Sequence, residues 1–287
     1  MASHIERRKF LATLGAAASW PLAARAQQAE PVRRIGVLLN LTADDPEASA
    51  RVTAFAQGLQ QLGWTDGRNV RIEYRWGAMD ADRARRYAPE LLALAPDVIL
   101  AVGAPAAVAL RQAAPAVPLV FVNIVDPVSA GLVDSLAQPG GNATGFIPFE
   151  YVISAKWLEL LKEVAPQLKP VAVLRDPDRA SGIGQLAVIQ AAAPSFGVEV
   201  RPVSVRDADE IERAVTAFAR SSNGGLIVTG SSLAAMHRKM IIALAARHRL
   251  PTVYAFRYFA SSGGLISYGP DTIDPFRRAA GYATCWA

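Results

Sequence analysis

PLVFVNIVDPVSAGL, residues 118–132, sets the architecture of the whole chain. Leu119 to Val122, with Val117 just before them, form a nearly unbroken apolar run. Such a run is the pattern of a strand covered on both faces, as strands in parallel sheets are. Asn123 and Asp126-Pro127 interrupt it and force a turn. Beyond Pro127, Val128, Leu132 and Val133 recur at helical spacing, with Ser129 near the first turn. The stretch therefore predicts a buried strand ending in a polar loop that opens a helix. In open α/β sheets, ligands sit outside the carboxyl ends of the strands, beside helix N-termini.

The same unit repeats in both directions along the chain. Strands are predicted over 33–40, 69–76, 97–102, 143–147, 170–175, 198–203, 225–228, 251–255 and 264–268, with amphipathic helices between most of them. Asp45-Pro46-Glu47 and Asp80 have helix-start chemistry, and Asp207 to Glu210 resembles a capping box. One long helix is expected from Ser232 to Arg249. Alternating strands and helices imply mostly parallel sheets. The fold class is α/β, with two doubly wound Rossmann-like lobes and a cleft between them. Lobe 1 is assigned 32–148 plus 257–287, and lobe 2 is assigned 149–256.

The N-terminus has a different character. Arg7, Arg8 and Lys9 precede an apolar run, Phe10 to Ala18, and Ala24-Arg25-Ala26 supplies small residues for cleavage. Residues 1–26 thus read as an export signal peptide, Tat-like or Sec, and a periplasmic location follows. The formal charge of +5 falls to +2 once those residues are set aside. The remaining charges are interspersed, so no nucleic-acid surface is predicted. A single cysteine, Cys285, excludes an internal disulfide framework.

Four stretches together resemble a known family: VDPVSAGLV (125–133), QPGGNATGF (138–146), SAKWLELLKEVAPQLKPVAVLRDP (154–177) and LAARHRLPTVYAFRYFASSGGLISYG (244–269). They are similar to ABC-transporter substrate-binding proteins of the group with tryptophan- and phenylalanine-binding members. The resemblance covers nearly all of the chain after residue 26. It implies a type I periplasmic-binding-protein fold and a two-lobed receptor that closes on a small molecule. It also implies delivery of that molecule to an ABC permease with its ATPase. An amino acid is a ligand the family allows, not one read from these residues. Family members usually continue beyond the helix begun near Asp271. Here Thr284 to Ala287 does not resemble that continuation, and the C-terminus reads as shortened.

If the cleft is the site, its walls are the strand-end loops. The first lobe offers Asn40, Thr42, Gly103, Ala104, Asn123 and Asp126; the second offers Asp176, Ser181, Thr229, Ser231 and Ser232. A ligand carboxylate would suit backbone N–H groups at a helix start near Ala104 or Ser129. A ligand ammonium would suit Asp126 or Asp176. Each of these residues is equally a turn former or helix cap in its own right. Tyr254 and Phe256 could stack on a flat ligand or pack the hinge. Tyr268 is a weaker candidate, placed at a first-lobe strand end. Hinges are expected at Gly145 to Pro148 and around Phe256.

No catalytic constellation is visible. His237 and His248 lack metal-ligand spacing, Gly182-Ile-Gly184 lacks the third glycine of a dinucleotide fingerprint, and no phosphate-loop lysine or nucleophile elbow occurs. No catalytic residue, metal or cofactor is therefore predicted. Two other readings stay open: a sensing domain feeding a membrane signalling partner, and a Rossmann-like enzyme.

Overall fold

The strands that sequence marks as continuously apolar are the central strands of two sheets. A computed structural model of the protein describes residues 32–286. The first sheet contains β1 (Arg33–Leu39), β2 (Val70–Trp76), β3 (Val98–Val102), β4 (Leu119–Val122) and β5 (Ala143–Phe146), in the order β2-β1-β3-β4-β5. The second contains β6 (Pro170–Arg175), β7 (Glu199–Ser204), β8 (Gly225–Val228), β9 (Thr252–Tyr254) and β10 (Ile266–Ser267), in the order β10-β9-β8-β6-β7. Every pairing is parallel. Read from the reversed end, the second order is the first one repeated. Both are doubly wound, with the winding direction changing between the first and third strand of each lobe.

Burial follows that order. All residues of β3, β4 and β8 are buried, whereas β7 at an edge is mostly exposed. Helices cover both faces: α1 (Pro46–Gln61), α2 (Ala81–Leu92) and α3 (Ala104–Ala113) in the first lobe. In the second lobe they are α4 (Ser154–Val164), α5 (Ala180–Phe196), α6 (Ala208–Phe218), α7 (Ser232–Met236), α8 (Arg238–Arg247) and α9 (Arg257–Ser261). The last helix, α10 (Asp274–Trp286), returns to the first lobe, where Phe276, Ala279 and Ala280 join Phe55 and Leu59 in one core. Gly58 makes that close approach possible, because a Cβ there would stand 2.5 Å from the Arg277 carbonyl oxygen.

The expected caps form. Asp45 accepts from Glu47 N, Asp80 from Asp82 N and Arg83 N, and Asp207 from Glu210 N. Four expectations need correction. The residues after Pro127 make a tight turn, not a helix: Leu132 N donates to Pro127 O, and Gly131 sits at φ +68°. The left-handed glycine ends the turn before a second one can form. The helix expected to run unbroken to Arg249 is split at His237 into α7 and α8, and no breaker residue in the sequence marks the split. The strand near 264–268 pairs with β9 in the second sheet. The return to the first lobe therefore falls after Tyr268, not at residue 257, with Gly269 packed where a Cβ would collide with the Ala255 carbonyl. The predicted export signal lies outside the described residues.

Candidate functional site

The carboxyl ends of the two sheets face each other across one cavity of about 100 Å³. At the winding reversal of the first lobe, β1 and β3 end at Asn40 and Gly103. At that of the second lobe, β6 and β8 lead to Arg179, Ser181, Gly230 and Ser231. All of these line the cavity, as do Asn123 after β4 and Phe256 after β9. Divergence of the connections on either side of a reversal leaves room at the strand ends, which is why such points hold ligands. A second cavity of about 440 Å³ opens beside the first and shares Ala104, Arg179 and Ser181 with it.

The lobes are tied across the cleft. Arg238 at the start of α8 grips Asp45 at the start of α1 with two hydrogen bonds, Nη1 to Oδ2 at 2.8 Å and Nη2 to Oδ1 at 3.1 Å. Their side chains are only 13% and 10% exposed. The Arg238 guanidinium also lies over the Tyr258 ring, and Tyr258 stacks on Phe256, which touches Phe149. Burial pushes the Tyr258 hydroxyl well above its ordinary value. A second tie joins Tyr151, whose hydroxyl donates to Asp126 at 3.3 Å. Burial, then the Asp126 charge, raise the Tyr151 hydroxyl to about 12. Burial alone would raise the Asp126 carboxyl, but hydrogen bonds from Ser129 and Tyr151 outweigh it and hold it below the usual range.

Arg51 is the main side chain that sequence reading missed. It is 4% exposed yet lines the cavity. Its Nε and Nη2 donate to Glu47 Oε1 one turn earlier, and Thr272 donates to the same oxygen at 2.6 Å. The guanidinium lies over the Phe276 ring. A signal existed: Ala48, Arg51, Phe55 and Gly58 share one helical face, so the arginine stands on the buried stripe of α1. Arg179 and Tyr258 also line the cavity and lay outside the expected set.

The predicted residues divide. Asn40, Gly103, Ala104, Asn123, Ser181, Ser231, Ser232 and Phe256 come together on the cavity wall. Ser129 and Asp126 line only the adjoining cavity. Thr42 is exposed and lines neither cavity; it borders a separate surface pocket with Asp45 and Arg238. Asp176 lines neither cavity; its Oδ1 accepts from Asp178 N and its Oδ2 lies 3.7 Å from Arg179. Two candidates prove to be internal. Thr229 is buried and donates to the Leu174 carbonyl at 2.8 Å, closing the gap between β8 and β6. Tyr254 is buried in the second-lobe core and stacks on Phe259 at 4.9 Å. Its alternating partner position on β9 points it into the sheet face, away from the strand end. Tyr268 directly follows a second-lobe strand, β10, and its carbonyl accepts from Trp157 Nε1 at 2.7 Å.

Among the described residues, no group of three His, Cys, Asp or Glu could hold a metal, and no helix is long and apolar enough to cross a membrane.

Comparison with known proteins gives the same picture. A family model described as ABC transporter substrate binding protein matches residues 35–284. A tyrosine-binding protein of Clostridioides difficile (strain R20291) is 25% identical over 228 residues, covering 79% of this chain and 65% of that protein's length. A solved ABC domain in complex with L-Trp from Streptococcus pneumonia superposes with a TM-score of 0.80 at 24% identity, over 88% of this chain and 84% of that one. A conserved domain protein from Vibrio cholerae O1 biovar El Tor gives 0.81 at 24% identity, with the same coverage.

Proposed function

The chain belongs to the ABC transporter substrate binding protein family, and from that premise we propose that it is a periplasmic solute receptor serving an ABC importer. The fold is that of the type I periplasmic binding proteins, two doubly wound five-stranded lobes. The solute enters the open cleft and touches the strand-end loops of both lobes. Closure then follows because the solute has contacts in the closed state that the open state lacks. The closed receptor docks on a membrane permease, whose ATPase drives transfer. No bond in the solute is made or broken. Residues 1–26 direct export.

The observation that carries this reading is the position of the cavity. It lies at the winding reversals of two lobes with the same topology, and the Asp45–Arg238 pair joins those lobes, with Arg238 over the ring of the wall residue Tyr258. The moving bodies are residues 33–147 with 272–286, and residues 149–268. The connecting segments at Pro148 and near Gly269 serve as hinges. The relatives' named ligands, tyrosine and L-Trp, suggest a carboxylate-bearing solute of amino-acid size. Bare helix starts at Gly103–Ala104 and Arg179–Ser181 would receive that carboxylate.

The test is a thermal-shift panel of small organic solutes on the purified protein, combined with mass spectrometry of solutes it carries through purification. A ligand in the cavity raises Tm in proportion to RT ln(1 + [L]/Kd). A solute that shifts Tm, or one recovered from the protein, is the expected result. Neither, over all solute classes, would contradict the reading.

A further inference from the structure

Two arginines stand on the wall of the inter-lobe cavity, and each already has a carboxylate partner. Arg51 lies 3.1 Å from Glu47, and Arg179 lies 3.7 Å from Asp176. Their charge is therefore met within the protein. Arg51 also belongs to a chain of hydrogen bonds that begins on the segment returning to the first lobe. Thr272 there donates to Glu47 Oε1 at 2.6 Å. Arg51 donates to the same oxygen through Nε at 3.2 Å and Nη2 at 3.1 Å. Its Nη1 reaches onward to Asn40 Oδ1 at 3.5 Å.

Chemistry fixes the direction of this chain. An ionised carboxylate only accepts and a guanidinium only donates. The edge of the Asn40 amide turned toward Arg51 must then be its oxygen, and its NH2 takes the opposite edge. Gly103 shows where that edge lies. A Cβ added at Gly103 would meet Asn40 Nδ2 first, at 3.0 Å, and the Asn40 carbons at 3.5 Å. The NH2 is thus beside the cap of α3, which has no side-chain acceptor and sits at φ +79°. Asn40 and Gly103 both line the cavity. Among the described residues Nδ2 has no acceptor, and it is not one of the polar atoms closed off from solvent. An asparagine free to turn could offer either edge, since the two are nearly the same shape. Arg51, with its side chain only 5% exposed, removes that choice.

Resting on the receptor reading above, we propose that Arg51 is a positioning residue: through Asn40 Oδ1 it holds the Asn40 NH2 as a fixed hydrogen-bond donor at the start of α3, where that NH2 receives the carboxylate of an amino-acid solute. Arg51 acts through Asn40, and its own charge stays with Glu47.

Calorimetry with L-tyrosine and L-tryptophan, the solutes named for the relatives above, tests this. Asn40→Asp keeps the side chain's shape and exchanges the NH2 for an oxygen. Its other oxygen faces Arg51, so Tm of the solute-free protein stays level or rises, while affinity falls about tenfold or more. Arg51→Lys keeps a cation for Glu47 but loses the fork that reaches Asn40 as well, and affinity falls roughly three- to tenfold. In an Asn40→Ala background no amide remains to be oriented, so the same lysine substitution leaves affinity where it was. An arginine that merely supports α1 would lower affinity equally in both backgrounds. Wild-type affinity or a lowered Tm in Asn40→Asp overturns the proposal, and so does an Arg51→Lys effect that persists without the amide. If Asn40→Ala does not fold, Asn40→Asp decides alone. A wild-type protein that binds neither amino acid also overturns the proposal, whereas a different solute recovered by mass spectrometry would leave the receptor reading standing.

Discussion

Replacing Arg238 with methionine removes the grip across the cleft while retaining much of the side chain's apolar stem. The pair has two charge-assisted hydrogen bonds between groups that are mostly buried when the lobes are closed. A hydrogen bond to a charged group contributes about 1.5–3 kcal/mol net. The two share one carboxylate and one guanidinium, and opening lets both groups return to water. The closed state is therefore expected to lose about 1.5–3 kcal/mol relative to the open one, a change of roughly 10- to 150-fold in their ratio. Because only the closed state holds solute with both lobes, apparent affinity falls by up to the same factor. Asp45→Asn is a second arm: its amide oxygen can still cap α1 at Glu47 N, so the helix survives while the ion pair is lost. Small-angle scattering of the solute-free protein gives the closed fraction, and calorimetry gives the affinity. In a double-mutant cycle the two substitutions should be non-additive by most of the single effect. A wild-type radius of gyration together with unchanged affinity in Arg238→Met would refute the reasoning.

Three further outcomes follow from particular contacts. Gly58→Ala pushes α10 off α1 through the Arg277 carbonyl and is expected to lower stability by about 1–3 kcal/mol, read from urea unfolding; a neutral result would mean α10 shifts freely. Gln185→Leu leaves the buried Gly230 N–H without its acceptor, now 3.0 Å away, and is expected to lower stability by about 1–3 kcal/mol and to weaken solute binding, since Gly230 lines the cavity. The Asp126 carboxyl is held below its ordinary value of 3.8, so its contribution to stability is complete above that pH and disappears as pH falls below it. Asp126→Asn should therefore flatten the fall of Tm on the acid side of about pH 4, and an unchanged acid limb would contradict this.

Local chemistry made much of the fold legible. The five-residue apolar runs gave the central strands, and aspartates before acidic first turns gave the starts of α1, α2 and α6. What the sequence could not carry was sheet membership of a two-residue strand: Ile266–Ser267 has too little pattern to show that it extends the second sheet. Val128, Leu132 and Val133 mimic a helical period, yet Gly131 turns the chain first. At the site, polar residues directly after a strand were legible as wall residues, and Asn40, Gly103, Asn123, Ser181 and Ser231 are on the wall. Thr229 was not separable from them, because its hydroxyl returns to a backbone carbonyl 55 positions earlier. Asp45 and Arg238 stand 193 positions apart, and only the packing of one lobe against the other brings them together. Arg51 was hidden by its residue type, since a charged side chain on a helix is ordinarily solvated.

The most direct measurement is a crystal structure of the protein grown with the tightest solute from the panel or with the one it carries through purification. The account predicts solute density between the lobes, in contact with Asn123 or Gly103 on one side and with Ser181 or Ser231 on the other, chemically unchanged. Solute bound elsewhere on the molecule, held by one lobe alone, or converted to a product would contradict it.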